Sequence, residues 1–423
     1  MNPPCIDEAT RAAADGASAR LSEALADPAA DRDHDAELGG RRWHGQSLYR
    51  GAAGAAILHG VRAQAGYGPT GRVQAWLSEA TREDVSVAST AGLWFGAPAI
   101  AFAIATAAPG QCPQTMQQLD TGIARLTRTR LDAAEARIAA AARPALAEYD
   151  LVRGLTGLGA YLLHRDPHGD LTRAVLTYLV RLTDPVPAGD DLGVAGPGWW
   201  SGAVPSGEPA ARYPGGHVDL GIAHGISGPL ALLALAMRRG ITVPGHAEAI
   251  DQICRFMDRW RQDTTAGAWW PERIGLAELR AGSPRAQGPA RPSWCYGTPG
   301  IARAQQLAAI ALGDTTRQRA AELALARCLH DPRQLAAIVD ARLCHGWAGL
   351  TLTAWYAAHD AATDEITARL PPLLRQLTML AEHLPAPGRA GLIDGDAGVA
   401  LTLHTLTTAT AAAAAWPACL LIT

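Results

Sequence analysis

The sequence predicts an all-α protein, an α/α toroid built as a double-layered barrel of about seven inner and seven outer helices. Two observations carry that expectation. A short glycine motif followed by an apolar stretch recurs seven times along the 423 residues, and the segments between those stretches carry charge at helical spacing. Composition agrees. Apolar residues make up 48% of the chain, and phenylalanine occurs only 3 times against 44 glycines. That usage suits close-packed helices with small residues at their crossings better than it suits a β-sandwich.

The motif is a glycine, two residues, then a glycine or alanine. Its first glycines are Gly51, Gly96, Gly154, Gly225, Gly297, Gly346 and Gly395, and Ala99 stands where the other units have their second glycine. The shorter steps, Gly51 to Gly96 and Gly297 through Gly346 to Gly395, match two helices of about a dozen to fifteen residues with their connections. The stretches at 99–104, 229–236 and 350–355 are apolar nearly all round, the mark of a helix buried on every side. Residues 250–260 and 317–327 alternate charge and apolar positions with a helical period, as an outer layer would. Each glycine lets the backbone turn sharply into an inner helix. The residues just before the glycines should therefore line one mouth of the barrel.

Two stretches break the period. Residues 184–217 are too rich in Pro and Gly for helix and read as a small β- or loop-built excursion on the rim. Residues 280–293 form a basic loop ahead of Cys295 and read as a substrate-side loop. Plain surface connection is the alternative for both. The whole chain, 1–423, reads as a single barrel domain with that one extension.

A formal net charge of -3 gives no support for a nucleic-acid or anionic-membrane partner. The seven cysteines are scattered and show no Cys-x-x-Cys pattern, and the N-terminus lacks the features of a signal peptide. A reduced compartment, hence a cytoplasmic protein without disulfides, is the expectation. No run of about eighteen apolar residues suggests an intrinsic membrane segment.

Chemistry gathers at the glycine turns. Immediately before the first glycine of units four, five and six stand His224, Tyr296 and His345, and one position earlier stand Cys295 and Cys344. Two thiolates and an imidazole in register from two matching units make a three-ligand zinc site with its fourth position open. Neighbouring residues of a helix point about 100° apart, so Cys344 and His345 require a ligand turn ahead of the helix. The plainer alternative is that both cysteines are small buried hydrophobes; Cys5, Cys112, Cys254, Cys328 and Cys419, which have no such register, read that way. His224 is placed to move a proton near neutral pH, or else to cap backbone. Asp150 is placed to orient or charge-compensate His224, with an N-cap role as the alternative. Arg291 offers a cation for a carboxylate or a developing oxyanion, or is a solvated loop arginine. Tyr296 offers a hydrogen bond to the same centre.

The motifs Ala-His-Gly-Ile-Ser-Gly (223–228), Trp-Cys-Tyr-Gly-Thr-Pro-Gly (294–300), Cys-His-Gly-Trp-Ala-Gly (344–349) and Leu-Ile-Asp-Gly-Asp-Ala-Gly-Val-Ala-Leu (392–401) resemble the signatures of the lanthionine synthetase C-like cyclases. The resemblance covers nearly the whole chain. It implies one zinc ion on Cys295, Cys344 and His345, an acid/base pair of His224 and Asp150, and assistance from Arg291 and Tyr296. It also implies a stand-alone cyclase of a class I system, which closes thioether rings in a dehydrated precursor peptide. A dehydratase and an exporter are the implied partners, with peripheral membrane association through them. Two other functions fit the same residues: addition of a small glutathione-like thiol to dehydrated peptides or proteins, and non-catalytic peptide binding in a biosynthetic complex. A protein prenyltransferase subunit is a more distant comparison, with a different ligand set.

Overall fold

The structure, a computed structural model, describes residues 6–31, 44–186, 196–205, 208–385, 388–408 and 415–423. Fourteen longer helices occur among them. In the first half of the chain these are α1 (Glu8–Ala24), α2 (Ala52–Gln64), α3 (Gly71–Ala80), α4 (Ala97–Ala107), α5 (Pro113–Ala139), α6 (Leu155–Arg165) and α7 (Asp170–Arg181). The second half adds α8 (Ser227–Arg238), α9 (His246–Trp260), α10 (Thr298–Leu312), α11 (Thr315–His330), α12 (Trp347–Asp360), α13 (Leu370–Glu382) and α14 (Asp396–Thr408).

Every glycine motif delivers the buried helix expected of it. α2, α4, α6, α8, α10, α12 and α14 each begin within two residues of a first glycine and are buried over most of their circumference. The helices between them bury one stripe. In α9 the buried positions include Ala249, Ile250, Ile253, Cys254, Met257 and Trp260, and in α13 Leu370, Leu373, Leu374 and Leu377, the three-and-four spacing of an amphipathic helix. Local signals set the ends. Asp7 and Asp314 accept the backbone N–H of Thr10 and Arg317 at 2.8 and 2.9 Å, and α10 stops at Gly313 in a left-handed conformation (φ +70°).

The chain divides into two compact units. One comprises Met1–Leu126 and Ile338–Leu421 with Thr423. Within it α12 packs on α14, α14 on α2 and α2 on α4, so the last buried helix of the chain lies beside the first. The outer partner of α14 is α1, which also packs on α13. Ser18 Oγ donates to the Ala400 carbonyl at 2.9 Å, and the Arg11 guanidinium to the Thr407 carbonyl at 2.8 Å. The N-terminal helix thus completes the final repeat. Leu21, Leu25, Leu58 and Trp76 are fully buried here, and each such leucine contributes about 1.5–3 kcal/mol.

The other unit comprises Thr127–Ala337 with Ile422. α6, α8 and α10 pack in succession, with α7, α9 and α11 against them. Strand β1 (His217–Asp219) is followed by a hairpin of β2 (Gln262–Thr264) and β3 (Gly267–Trp269), and then by β4 (Arg273–Gly275). β1 pairs antiparallel with β4, with Asp219 opposite Arg273. The excursion at 184–217 has β-bridges Val186–Gly196 and Ser201–His217 and buries Trp199 and Trp200; its residues 187–195 and 206–207 lie outside the described residues. The basic loop is shorter than 280–293, because residues 280 and 281 end a one-and-a-half-turn helix, Leu276–Ala281.

None of the six described cysteines is in a disulfide; Cys5 lies outside the described residues. Burial pushes the Cys254 thiol up to about 12 and the Cys328 and Cys419 thiols up as well, as inert core cysteines. Cys112 departs from the buried expectation and is exposed, on a turn that leads into α5 with φ +100°. Among the described residues no helix is long and apolar enough to cross a membrane.

Candidate functional site

Cys344 and His345 stand in a turn ahead of α12, as a pair of adjacent ligands requires. Backbone bonds hold the turn: Cys344 N–H donates to the Ile393 carbonyl at 3.2 Å and Gly346 N–H to that of Arg342 at 3.0 Å. Asp340 organises it. Its Oδ1 accepts the Arg342 N–H at 2.8 Å, its carbonyl accepts the Trp347 N–H at 3.0 Å, and its Oδ2 lies 3.5 Å from Nε2 of His345. A carboxylate at one ring nitrogen is how metal-binding imidazoles are oriented.

Cys295 stands in the equivalent turn before α10. Gly297 is left-handed (φ +82°), and a Cβ there would fall 2.6 Å from the Arg291 carbonyl, so only glycine lets the chain reverse directly behind Cys295 and Tyr296. Ser293 Oγ sits 3.6 Å from Cys295 Sγ; it accepts the Tyr296 N–H at 3.1 Å and donates to the Tyr296 carbonyl. Cys295, Cys344 and His345 each offer one ligand atom, a sulfur or a ring nitrogen. Two soft sulfurs and a ring nitrogen are a donor set that suits zinc.

His224 stands in the turn before α8, and that turn packs on the Cys295 turn backbone to backbone. Ile222 and Ala223 donate their N–H groups to the Cys295 carbonyl at 3.1 and 3.4 Å. A Cβ on Gly221 would meet the same carbonyl at 2.5 Å. His224 Nδ1 is 2.7 Å from Asp150 Oδ2. Asp150 fills both roles left open for it: Oδ1 caps the turn into α6 by accepting the N–H groups of Arg153 and Gly154 at 2.5 and 2.8 Å, and Oδ2 holds the imidazole. Burial alone would lower the His224 pKa. The hydrogen bond and charge of Asp150, and then the charge of Asp219, outweigh it and leave the pKa raised.

Tyr296 does not point a free proton at the centre. Its hydroxyl donates to Asp219 Oδ2 at 2.8 Å and lies 3.4 Å from an Arg273 terminal nitrogen. Burial first, then the Asp219 charge, pushes the phenol pKa up, so the hydroxyl stays protonated. Arg291 is exposed. Its repeat-equivalent position, six before the first glycine, holds Asp219, Asp340 and Arg389 in other units. The carbonyls of Asp219, Asp340 and Arg389 each accept the N–H of the residue after the glycine, at 3.0, 3.0 and 2.8 Å. Arg291 is the one residue of this slot that the sequence singled out; Asp219 and Asp340 were not. The available signal was an Asx turn: Asp219 and Asp340 each bond the backbone N–H two residues on, at 3.0 and 2.8 Å. Arg273 had no local signal, since strand pairing alone brings it to Asp219.

Fold and site together define a repeat-built helical protein with cysteine and histidine side chains in the turns before its buried helices. The chain matches the family model described as "Lanthionine synthetase C-like protein" over residues 42–421 and belongs to that family. It is 27% identical over 206 residues to "Nisin biosynthesis protein NisC" of Lactococcus lactis subsp. lactis. That alignment covers 48% of this chain and 47% of the relative, so the chain spans about half the length of the curated relative it matches. The solved structure of "Nisin cyclase" matches with a TM-score of 0.77 at 20% identity, over 92% of this chain and 95% of that one. The fold is the expected α/α toroid.

Proposed function

We propose that the chain is a zinc-dependent lanthipeptide cyclase. In the reaction the S–H of a peptide cysteine adds across the C=C of a dehydroalanine or dehydrobutyrine in the same peptide. Sulfur bonds the β-carbon, a proton goes to the α-carbon, and no other reactant is consumed. The observation that carries this function is a pair of like-built turns, one presenting Cys295 and the other Cys344 with His345, each leading into a buried helix, in a chain of the lanthionine synthetase C-like family. A zinc ion on those ligands would lower the pKa of an incoming thiol while two protein thiolates keep the added sulfur electron-rich.

The chain's own groups divide the remaining work. His224, held through Nδ1 by Asp150 and about a third exposed (34%), carries a proton on Nε2 and delivers it to the enolate carbon. The hydrogen bond and charge of Asp150 favour the protonated ring and leave its pKa raised. Arg291 supplies positive charge for the developing enolate oxygen, and Tyr296 lines the turn beside Cys295. Thiolate ligands suit a reducing, cytoplasmic setting. A dehydrating enzyme must supply the alkene, and an exporter is the expected consumer of the ring-closed product. The chain 1–423 acts as one cyclase domain in this scheme.

The test uses a synthetic peptide with one dehydroalanine and one cysteine. Ring closure leaves the mass unchanged, so it is read as loss of alkylatable thiol. Zinc-loaded protein is expected to close the ring, and chelated protein to lose that activity. Rings that never form, while added glutathione is taken up by the alkene, would assign the small-thiol reaction instead. Peptide binding without either product would leave a binding protein.

A further inference from the structure

We propose that the buried Asp219–Arg273 pair is a positioning device for cyclisation: through Tyr296 it fixes the turn that carries Cys295 against the turn that carries His224. This role rests on the cyclase function proposed above. It begins in strand pairing. Asp219 and Arg273 are direct partners in the β1–β4 ladder, so their side chains emerge on the same face. The Asp219 side chain is only 1% exposed, and a carboxylate that deep must be paired and hydrogen-bonded to be tolerated.

The bonds it makes run to both turns. Oδ2 accepts Arg273 Nε at 3.2 Å and the Tyr296 hydroxyl at 2.8 Å, while Oδ1 accepts the Gly221 N–H at 3.0 Å. The Asp219 carbonyl accepts the Ile226 N–H at 3.0 Å, closing the loop that presents His224. Arg273 lies over the Tyr296 ring with its guanidinium carbon 5.2 Å from the centroid. The phenol is therefore gripped from its face and at its oxygen. With its one O–H proton committed to Asp219, Tyr296 acts by where it stands rather than by what it donates. The His224 and Tyr296 rings are 6.4 Å apart, centroid to centroid, so a shift of the phenol changes the wall beside the imidazole. It also moves the backbone that carries Cys295.

The experiment compares Asp219→Asn, Tyr296→Phe and their combination with the parent chain, in full-length zinc-loaded protein acting on the synthetic dehydroalanine–cysteine peptide. Zinc affinity is measured separately by chelator competition, and folding by thermal melts. Asp219→Asn is expected to lower kcat or zinc affinity by about 10–100-fold while KM changes little. Because both substitutions cut one link, the double variant is expected to lose no more than the worse single variant. Should Asp219→Asn fail to fold, Arg273→Lys, which keeps the charge but not the stacked plane, replaces it in the same cycle with Tyr296→Phe. Single variants within about twofold of the parent in both readouts, or losses that multiply in the double variant, overturn the pair's role. A parent chain that closes rings and binds zinc alongside an unimpaired Asp219→Asn overturns this role alone. A parent chain that does neither overturns the cyclase function and this role together.

Discussion

The turn at residues 219–225 and the turn at 340–346 are built on one plan and equipped differently. Each opens with an aspartate whose side chain bonds the backbone N–H two residues on. In each, the aspartate carbonyl accepts the N–H of the residue just past the closing glycine. Each presents a histidine immediately before that glycine, with 34% of its side chain exposed in both. The residue before the histidine is alanine in one and cysteine in the other. The carboxylate that reaches the ring also differs: Asp150, from outside the turn, meets Nδ1 of His224 at 2.7 Å, whereas Asp340, from within it, lies 3.5 Å from Nε2 of His345. A tight hydrogen bond to a buried carboxylate suits a ring that must hold and release a proton. A neighbouring thiolate and a looser partner suit a ring that must coordinate. Repetition thus supplies equivalent places at the turns, and single residues decide which chemistry each performs.

Four substitutions would break or sharpen that contrast. The largest effect is expected from Cys344→Ala, which removes what distinguishes the second turn. Zinc content should fall, and ring closure should drop by more than the about 10–100-fold that losing an outer partner costs; metal analysis and the thiol assay read both. His224→Ala in the first turn should cost about 10²–10⁴-fold in kcat, the usual worth of a positioned acid, with zinc content unchanged. A loss of zinc there would erase the division of labour. Asp340→Asn should weaken zinc affinity by about 10–100-fold through the His345 ring, measured by chelator competition, with the pH dependence of kcat kept.

Asp150→Asn should do the reverse. Asp150 holds the His224 pKa above its ordinary value, so the proton is kept to a higher pH in the parent chain. Its loss moves the alkaline limb of the kcat profile to lower pH and spares zinc binding. The same sign governs stability. The pair's contribution is fully present below the unfolded histidine pKa and is lost as pH rises through the raised value. Denaturant midpoints of the parent should therefore fall on that alkaline side, and those of the variant should fall less.

The seven buried helices and the ligand turns were legible because each leaves a local mark: a glycine pair, an apolar run, a cysteine in register with another. Asp219–Arg273 was not, since 54 residues separate the two and only the β1–β4 register joins them. Nor was the partnership of α1 with α14. Residues 8–24 carry no glycine motif, and their amphipathic stripe names no partner. The role of Asp150 was open in the sequence because capping and imidazole binding require the same residue type. The carboxylate has two oxygens, and the fold uses one for each task. Tyr296 was expected to donate to the reacting centre; its proton instead goes to an aspartate that adjacency alone could not reveal.

The central claim, that Cys295, Cys344 and His345 hold one zinc ion with a place left for a thiol, is tested most directly by X-ray absorption at the zinc edge of the purified chain. The expected result is one zinc per chain with two sulfur neighbours at about 2.3 Å and nitrogen or oxygen neighbours at about 2.0–2.1 Å, gaining a third sulfur when a thiol peptide is added. A metal-free protein, or a zinc shell of nitrogen and oxygen alone that thiols do not alter, would contradict it.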